Sequence, residues 1–385
     1  MNENGRHPGS VTASTPGRIC LFGEHQDYLG LPVMAAAISK RIAVTGRLRA
    51  DNRVAIDLPD VHGAESFELA YPLPYRKDRD YFRSALNVLQ RAGVRPGRGV
   101  EATVRGDIPI NSGTSSSSAL LVSWIHLLVQ LSGPAGAKSP QELGELAYRA
   151  EVLEFGEPGG MMDHYATALG DIIYLESQPS VRIERYRPTL GAFVLGDSRE
   201  PKDTLRILKR VKLGMLEAIR KIKAYHPAFD LHHTPLTAAD DYAPVLTADE
   251  LLLLKSNLSD RDILREAKRM FDQDRVDDVH LGTLLNRHQQ NLREAKQVST
   301  PKIDAMIGAA LAAGALGAKI NGSGGGGCMF AYAPQAPQAV AAAIEGRGGK
   351  AYVIAIDEGT RIEGSTGTAP AGPGYDPSKR KSLEP

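Results

Sequence analysis

The sequence predicts a mixed α/β protein built as two domains, an α+β arrangement rather than a single layer type. Three observations carry this. The chain has 385 residues, and at about 150 residues per domain that is two domains rather than one. In the first half, strand-like apolar runs are interleaved with helical periodicity. The second half carries longer helical stretches and then three short apolar runs, and Arg187, Pro188 and Thr189 interrupt the pattern near Tyr186 to Gly191.

The elements follow in order. Val33 to Leu48 is apolar but broken by Lys40 and Arg41, which reads as one bent strand or two. Val100, Ala102 and Val104 alternate on one face of a strand at Val100 to Arg105. Helices are expected from Ser115 to Leu131 and from Pro140 to Phe155, and strands at Leu169 to Leu175 and Ala192 to Leu195. Helical periodicity then covers Thr204 to Ala224, Thr247 to Phe271, Leu281 to Lys296 and Pro301 to Ala313. Thr300 before Pro301 is a strong start signal, since the hydroxyl caps the helix and proline fits its first position. Strands close the pattern at Ala318 to Ile320, Met329 to Ala333 and Tyr352 to Ile356. The expected layout is a flexible N-terminus at 1–14, an N-terminal domain at 15–188, a C-terminal domain at 189–364 and a flexible tail at 365–385, which is rich in Gly, Pro, Ser and Lys.

Charge narrows the function. Lys plus Arg is 46 against 45 Asp plus Glu, a net of +1, which argues against nucleic acid or an acidic membrane as the main partner. No apolar run reaches the roughly 18 residues of a membrane span. Cys20 and Cys328 are the two cysteines, too few for a disulfide framework. A cytoplasmic protein with a small-molecule substrate is the expectation, as a monomer or a homodimer.

Two loops carry the chemistry. Asp107-Ile-Pro-Ile-Asn-Ser-Gly-Thr-Ser-Ser-Ser-Ser118 runs from a strand into a helix. Small side chains there let phosphate oxygens reach backbone N–H groups, and the helix dipole adds positive potential. The loop lacks the Gly-Lys-Ser/Thr ending of a P-loop. Asn321-Gly-Ser-Gly-Gly-Gly-Gly327 lies between two strands. So much glycine costs backbone entropy, and it is kept where a ligand or another backbone comes close. The alternatives are a serine-rich helix cap for the first and a flexible hairpin tip for the second.

Thr15-Pro-Gly-Arg-Ile-Cys-Leu-Phe-Gly-Glu-His-Gln-Asp-Tyr-Leu-Gly30 is the third segment. Together with Pro109 to Ser118 and Gly322 to Gly327 it resembles the three signature motifs of the GHMP kinases (galactokinase, homoserine kinase, mevalonate kinase and phosphomevalonate kinase). Gly-Glu-His-x-Asp-Tyr-x-Gly resembles the galactokinase branch, as do Ala150 to Asp163 and Leu285 to Asp304. The resemblance runs from about residue 14 to 333. It implies a two-domain fold with a βαβ-type first domain, a ferredoxin-like second domain and an active site in the cleft between them.

The resemblance also implies roles. ATP would donate its γ-phosphoryl to a sugar hydroxyl with Mg²⁺ as cofactor. Asp163 matches the catalytic carboxylate and Arg18 the guanidinium that pairs with it. Glu24, His25, Asp27 and Gly160 match the sugar site. Asn111, Ser112, Gly113, Ser115, Ser116, Gly322, Gly324 and Gly325 match the ATP phosphate cradle, and Ser117 with Glu151 the magnesium ligands. A zinc site built on Glu24, His25 and Asp27 is a rival without a companion ligand pair elsewhere. His226, His232 and His233 belong to a polar loop on this reading, and Lys209, Arg210 and Lys212 to a solvated helix face.

Several positions depart from the galactokinase pattern. Thr114 replaces Leu, Ser118 replaces Ala, Gly159 replaces Cys and His164 replaces Gln. After Leu195 the chain reads Gly196-Asp-Ser-Arg-Glu-Pro-Lys-Asp-Thr-Leu-Arg206, with no counterpart to the pocket Tyr of galactokinases. The expected substrate is therefore galactose or a related sugar, phosphorylated at its anomeric hydroxyl. A mevalonate-type alcohol kinase and a non-catalytic sugar sensor are the alternatives.

Overall fold

The computed structural model describes residues 9–364 except 111, 158, 203–206, 208 and 274. The first domain is built on an eight-stranded sheet. Its strands are β1 (Val11–Phe22), β2 (Val33–Leu48), β3 (Arg53–Leu58), β4 (Gly63–Glu68), β5 (Val100–Gly106), β6 (Ile172–Glu176), β7 (Arg182–Tyr186) and β12 (Arg361–Ile362). The order is β12-β1-β2-β5-β3-β4, with β6 beside the first half of β2 and β7 beyond it. Helices α2 (Ser116–Leu131) and α4 (Met162–Leu169) pack on it, and α1 (Tyr81–Arg91) and α3 (Pro140–Tyr148) pack against those helices. The β3 to β5 pair is parallel, and α1 lies in the crossover between those strands.

β2 is one bent strand. Gly17 of β1 faces Ile38 while Pro16 faces Arg41, so Ser39 and Lys40 bulge out of the ladder. The bulge lets the strand pair with β6 over Val33–Ala36 and with β5 over Ile42–Leu48.

The second domain has strands β8 (Phe193–Asp197), β9 (Gly317–Ile320), β10 (Cys328–Tyr332) and β11 (Lys350–Ile354) in the order β11-β8-β10-β9. Every pairing in it is antiparallel. Helices α5 (Gly214–Tyr225), α6 (Ala248–Phe271), α7 (Asp278–Glu294), α8 (Pro301–Ala312) and α9 (Pro337–Glu345) complete it. A helical segment separates β8 from β9, β9 runs directly into β10, and α9 separates β10 from β11. That succession is the expected ferredoxin-like βαββαβ pattern, with a long helical insertion in its first crossover.

Caps fix the helix starts. Thr300 accepts from the Ile303 N–H with Pro301 at the first position, as expected. Thr247 and Glu250 form a capping box on α6, and Ser139 and Glu142 form one on α3. The helix expected from Pro140 to Phe155 is shorter. α3 ends at Tyr148 and widens into a π-turn over Arg149–Leu153, an insertion that commonly serves a functional site.

Two expected boundaries are corrected. Val11 to Ser14 are not a loose end: they pair with β2, and Ala13 and Ser14 also pair with β12. The last described stretch does not stay with the second domain. Ile356 bridges to Ile38, Glu358 bridges to Gly170, and β12 adds a strand beside β1. The chain thus returns to the first sheet, where the edge of β1 offers unpaired backbone groups. The tail expected at 365–385 and the segment 1–8 lie outside the described residues.

Between the domains, Ile19, Phe22, Met34 and Ile38 form one buried cluster with Phe193, Leu195, Ile263, Phe330 and Tyr332. This apolar seam fixes the two sheets relative to each other and so sets the cleft. Among the described residues no helix is long and apolar enough to cross a membrane.

Candidate active site

Three segments meet at the cleft. β1 brings Arg18, the loop before α2 brings residues 112–118, and the loop between β9 and β10 brings residues 321–327. Arg18 N–H donates to Thr114 O at 3.1 Å, and the Cys328 N–H donates to Ser112 O at 2.7 Å. The glycines are required where backbones touch. A Cβ on Gly322 would stand 3.0 Å from Gly113 O, one on Gly327 would stand 2.6 Å from Ser112 O, and both glycines have positive φ.

Asp163, in the first turn of α4, meets Arg18 from β1. Arg18 Nε donates to Asp163 Oδ1 at 2.8 Å. The side chain of Arg18 is 5% exposed and that of Asp163 31%, so the guanidinium lies beneath a carboxylate open to the cleft. Burial opposes charge on both groups. Their attraction outweighs it, raising Arg18 and holding Asp163 below the usual carboxylate range, with His164 helping. Arg18 also donates to Gly113 O, as does Asn321 Nδ2 at 2.9 Å.

The start of α2 faces the same space. Ser115 precedes it with φ of +61° and makes no side-chain cap, which leaves the first N–H groups of the helix without a side-chain partner there. Such a helix start suits an anion. Ser116 and Ser117 follow at its first positions, both half-buried. Ser112 has another job: its hydroxyl donates to Pro109 O at 2.7 Å and lies 2.8 Å from Thr114 Oγ1, so it knits the loop from within rather than facing a ligand. Asn111 lies outside the described residues.

Glu151, on the π-turn, is brought to the start of α2. Ser118 Oγ donates to its Oε2 at 2.8 Å, His164 Nε2 lies 2.7 Å from the same oxygen, and the Ser117 side chain stands close enough to lower its proton affinity. Burial pushes Glu151 up, but His164 and the serines hold it below its usual value. Ser118 and His164 are two of the departures noted in the sequence, and they converge on one oxygen. Ser117 and Glu151 offer hard oxygen donors side by side, the kind of set magnesium accepts.

The expected sugar residues divide. Asp27 and Gly160 come together: a Cβ on Gly160 would run into Asp27 Oδ2. Burial and the nearby Asp163 push Asp27 up to about 6. Tyr28 and Tyr148 also stand near enough to feel its charge.

His25 and Glu24 do not line the open pocket. His25 Nδ1 lies 3.0 Å from Tyr28 Oη and Nε2 lies 3.0 Å from Ser323 O, so the ring ties the 24–28 turn to the glycine loop. Burial and Lys296 push it down to about 3, which keeps it neutral. Glu24 turns inward and is 2% exposed. It pairs with Lys319, while Lys296 Nζ donates to Glu24 O at 3.1 Å and to Asp260 Oδ2 at 2.7 Å. His288 lies 3.7 Å from both carboxylates. Burial and the two lysines push His288 well down, so it is a neutral neighbour and not an ion-pair partner. This buried cluster anchors the turn from behind, which corrects the expectation for Glu24. Among the described residues no group of three His, Cys, Asp or Glu side chains is arranged to hold a metal ion.

Two lysines were missed or misplaced by sequence reasoning. Lys202, in the divergent stretch after β8, reaches in between the loop before α2 and the glycine loop. A Cβ on Gly113 would stand 2.5 Å from its Nζ. Lys212 was expected on a solvated helix face, but the chain there forms a π-turn over Lys209–Leu213 and its ammonium lies 5.0 Å above the Tyr28 ring. No local periodicity marks either lysine.

The chain matches three family models. They are GHMP kinases N terminal domain over residues 80–171, GHMP kinases C terminal over 277–350, and Galactokinase galactose-binding signature over 2–48. It is 30% identical to a mevalonate kinase of Thermococcus gammatolerans, covering 92% of this chain and 98% of the relative. Among solved structures, Lactococcus lactis galactokinase complexed with galactose superposes with a TM-score of 0.78 at 23% identity, covering 93% of this chain and 96% of that one. Methanococcus jannaschii mevalonate kinase superposes at 0.71 with 15% identity, covering 92% and 100%.

Proposed function

The chain belongs to the GHMP kinase family, and from that premise we propose that it is an ATP- and Mg²⁺-dependent sugar kinase acting on the anomeric hydroxyl of galactose or a related sugar. The observation that carries the sugar reading is the pair of carboxylates in one pocket, Asp27 held against Gly160 and feeling the charge of Asp163. Two carboxylates accept hydrogen bonds from hydroxyls, which a polyhydroxylated acceptor supplies in number. A carboxylate acceptor would instead meet like charge. The galactose-binding signature over residues 2–48 supports the same reading.

The chemistry follows from the residues. The acceptor oxygen bonds to the γ-phosphorus as the bond to the β-bridging oxygen breaks, and ADP leaves with that oxygen. Asp163 orients the acceptor hydroxyl and takes its proton. Arg18 keeps Asp163 ionised and places positive charge near the developing anion. The start of α2 holds the phosphates by backbone N–H groups, and the glycine loop closes over them, although the expected Gly325 N–H and the Gly327 N–H are engaged by Val298 O and Glu200 O instead. Ser117 and Glu151 would hold magnesium, which when bound neutralises phosphate charge.

A second reading has specific support. Relatives 30% identical over nearly the whole chain are mevalonate kinases, and Lys212 beside Tyr28 offers a cation to a carboxylate acceptor. The deciding experiment is a coupled ADP-release assay with Mg·ATP against galactose, other hexoses, pentoses, uronic acids, amino sugars and mevalonate. Highest kcat/KM on a neutral sugar supports the proposal. Turnover of mevalonate alone replaces it with the second reading. Silence across the panel with ATP still bound points to a sensor.

A further inference from the structure

Lys202 belongs to none of the family's matched motifs, yet the fold delivers it to the reaction centre. Its segment wraps the glycine loop. The Ser198 N–H donates to Gly327 O at 2.9 Å, and the Gly327 N–H donates to Glu200 O at 3.1 Å. Thr300 Oγ1 donates to Glu200 Oε2 at 2.6 Å, which anchors the wrap to α8. Pro201 O packs on Gly326, where a Cβ would stand 2.6 Å from it. These contacts leave Lys202 one position beyond a fixed backbone.

The ammonium lies between the two small-residue loops. It faces Gly113 on one side and Ser323 on the other, with Ser323 Oγ at 3.5 Å. A Cβ on Gly327 would stand 2.6 Å from Lys202 Cε. Glycine at 113 and 327 is what admits the side chain. Burial and the charge of Arg18 push Lys202 down to about 8, and Asp163 pulls it back up. The ammonium thus stands between the loops within electrostatic reach of Arg18, a pair of cations that suits an anion.

We propose that Lys202 is a further catalytic residue, whose ammonium binds the transferring phosphoryl group between the two loops. It adds a second positive charge to that of Arg18, which also reaches Gly113 through its carbonyl oxygen. The phosphorus–oxygen bond to the acceptor forms and that to the β-bridging oxygen breaks as described above. Lys202 keeps its proton throughout and donates hydrogen bonds to the equatorial oxygens, where charge accumulates. The assignment rests on the phosphoryl-transfer reading of the site but not on the identity of the acceptor.

The test separates the two. Calorimetry would measure binding of Mg·ADP and of a non-hydrolysable Mg·ATP analogue to the full chain and to Lys202→Met and Lys202→Arg. Loss of one charge-assisted contact predicts that Lys202→Met binds the ATP analogue about ten- to a hundredfold more weakly. Its ADP affinity should stay within about twofold, since ADP lacks the contacted group, and this also reports an intact fold. Lys202→Arg should recover most of the loss. Equal weakening for ADP and the analogue overturns the assignment, as does unchanged affinity for both. Weakened binding of a carboxylate acceptor only, with nucleotide discrimination intact, also overturns it and places the ammonium on the acceptor. If no acceptor is turned over, the sugar reading fails while the nucleotide measurement still decides the role of Lys202.

Discussion

Arg18 places two nitrogens on one oxygen of Asp163: Nε at 2.8 Å and Nη2 at 2.7 Å from Oδ1. On the proposed mechanism the other carboxylate oxygen serves the acceptor. Asp163→Asn cannot take a proton, and Arg18→Met removes the charge that keeps Asp163 ionised. Each should lower kcat by about 10²–10⁴-fold, with Mg·ATP affinity changed far less. Steady-state kinetics beside nucleotide calorimetry checks this, and near-normal turnover in Asp163→Asn would end the proposed mechanism.

Gly160 leaves the space that Asp27 fills. Gly160→Ala should displace the Asp27 carboxylate and raise the acceptor KM by about tenfold, the loss of roughly one hydrogen bond to a charged group. The KM for ATP should not follow. A parallel rise in both would show that the site is disturbed as a whole.

Asp27 titrates at about 6 in the folded protein against an ordinary 3.8, because burial and Asp163 disfavour its charge. Between these values the folded state holds a proton that the unfolded chain has released. Stability contributed by Asp27 is therefore lost as pH rises from about 4 through 6. Asp27→Asn should be more stable than the parent by about 3 kcal/mol at pH 7.5 and nearly equal to it near pH 4. Denaturant melts at the two pH values measure this. The variant should bind the acceptor more weakly despite its gain.

Lys319 is fully buried against Glu24. Lys319→Met leaves that carboxylate unpaired near Asp260 and should cost about 3–5 kcal/mol. Adding Glu24→Gln should return a large part, since the double variant carries no stranded charge. A double-mutant cycle of unfolding free energies tests the coupling, and additive losses would refute it.

His164 and Ser118 hold the same oxygen of Glu151. Partners behind a metal ligand typically matter by about 10–100-fold in metal affinity. His164→Ala should raise the Mg²⁺ concentration for half-maximal activity accordingly, with the kcat at saturating Mg²⁺ much less affected. An unchanged magnesium titration would place the metal elsewhere.

Much of this site is legible in the sequence, for a local reason. A strand, a run of small residues and a helix start are contiguous, and so are Glu24, His25 and Asp27. The bulge in β2 shows as Lys40 and Arg41 inside an apolar run, and the cap on α8 as Thr300-Pro301. Other elements carry weaker marks. β1 contains Pro16, which reads against a strand, and the register shift at Pro16 and Gly17 is what accommodates it. The eight residues of α4 are too few to show a helical period.

Side-chain direction is where sequence reading failed. Glu24 and Asp27 are three residues apart in one turn, yet one pairs with Lys319 in the interior and the other stands beside Asp163 in the cleft. Ser112 and Ser117 lie in one loop, yet one knits the backbone and the other meets Glu151.

By itself the sequence determined the two-domain α/β class and the two small-residue loops, which are set by chain-local chemistry: backbone freedom at glycine, helix starts, and residue types within short segments. The Arg18 and Asp163 candidates come instead from the resemblance of whole motifs to the GHMP kinases. The tertiary structure alone decided which charges meet. Lys202 stands beside Gly113, and Glu151 beside Ser117 and Ser118, because separate segments close on one another across the apolar seam formed by β1, β2, β8 and β10. Burial of that seam is non-directional and draws on residues far apart in the chain, so no short window of sequence records which side chains it brings together.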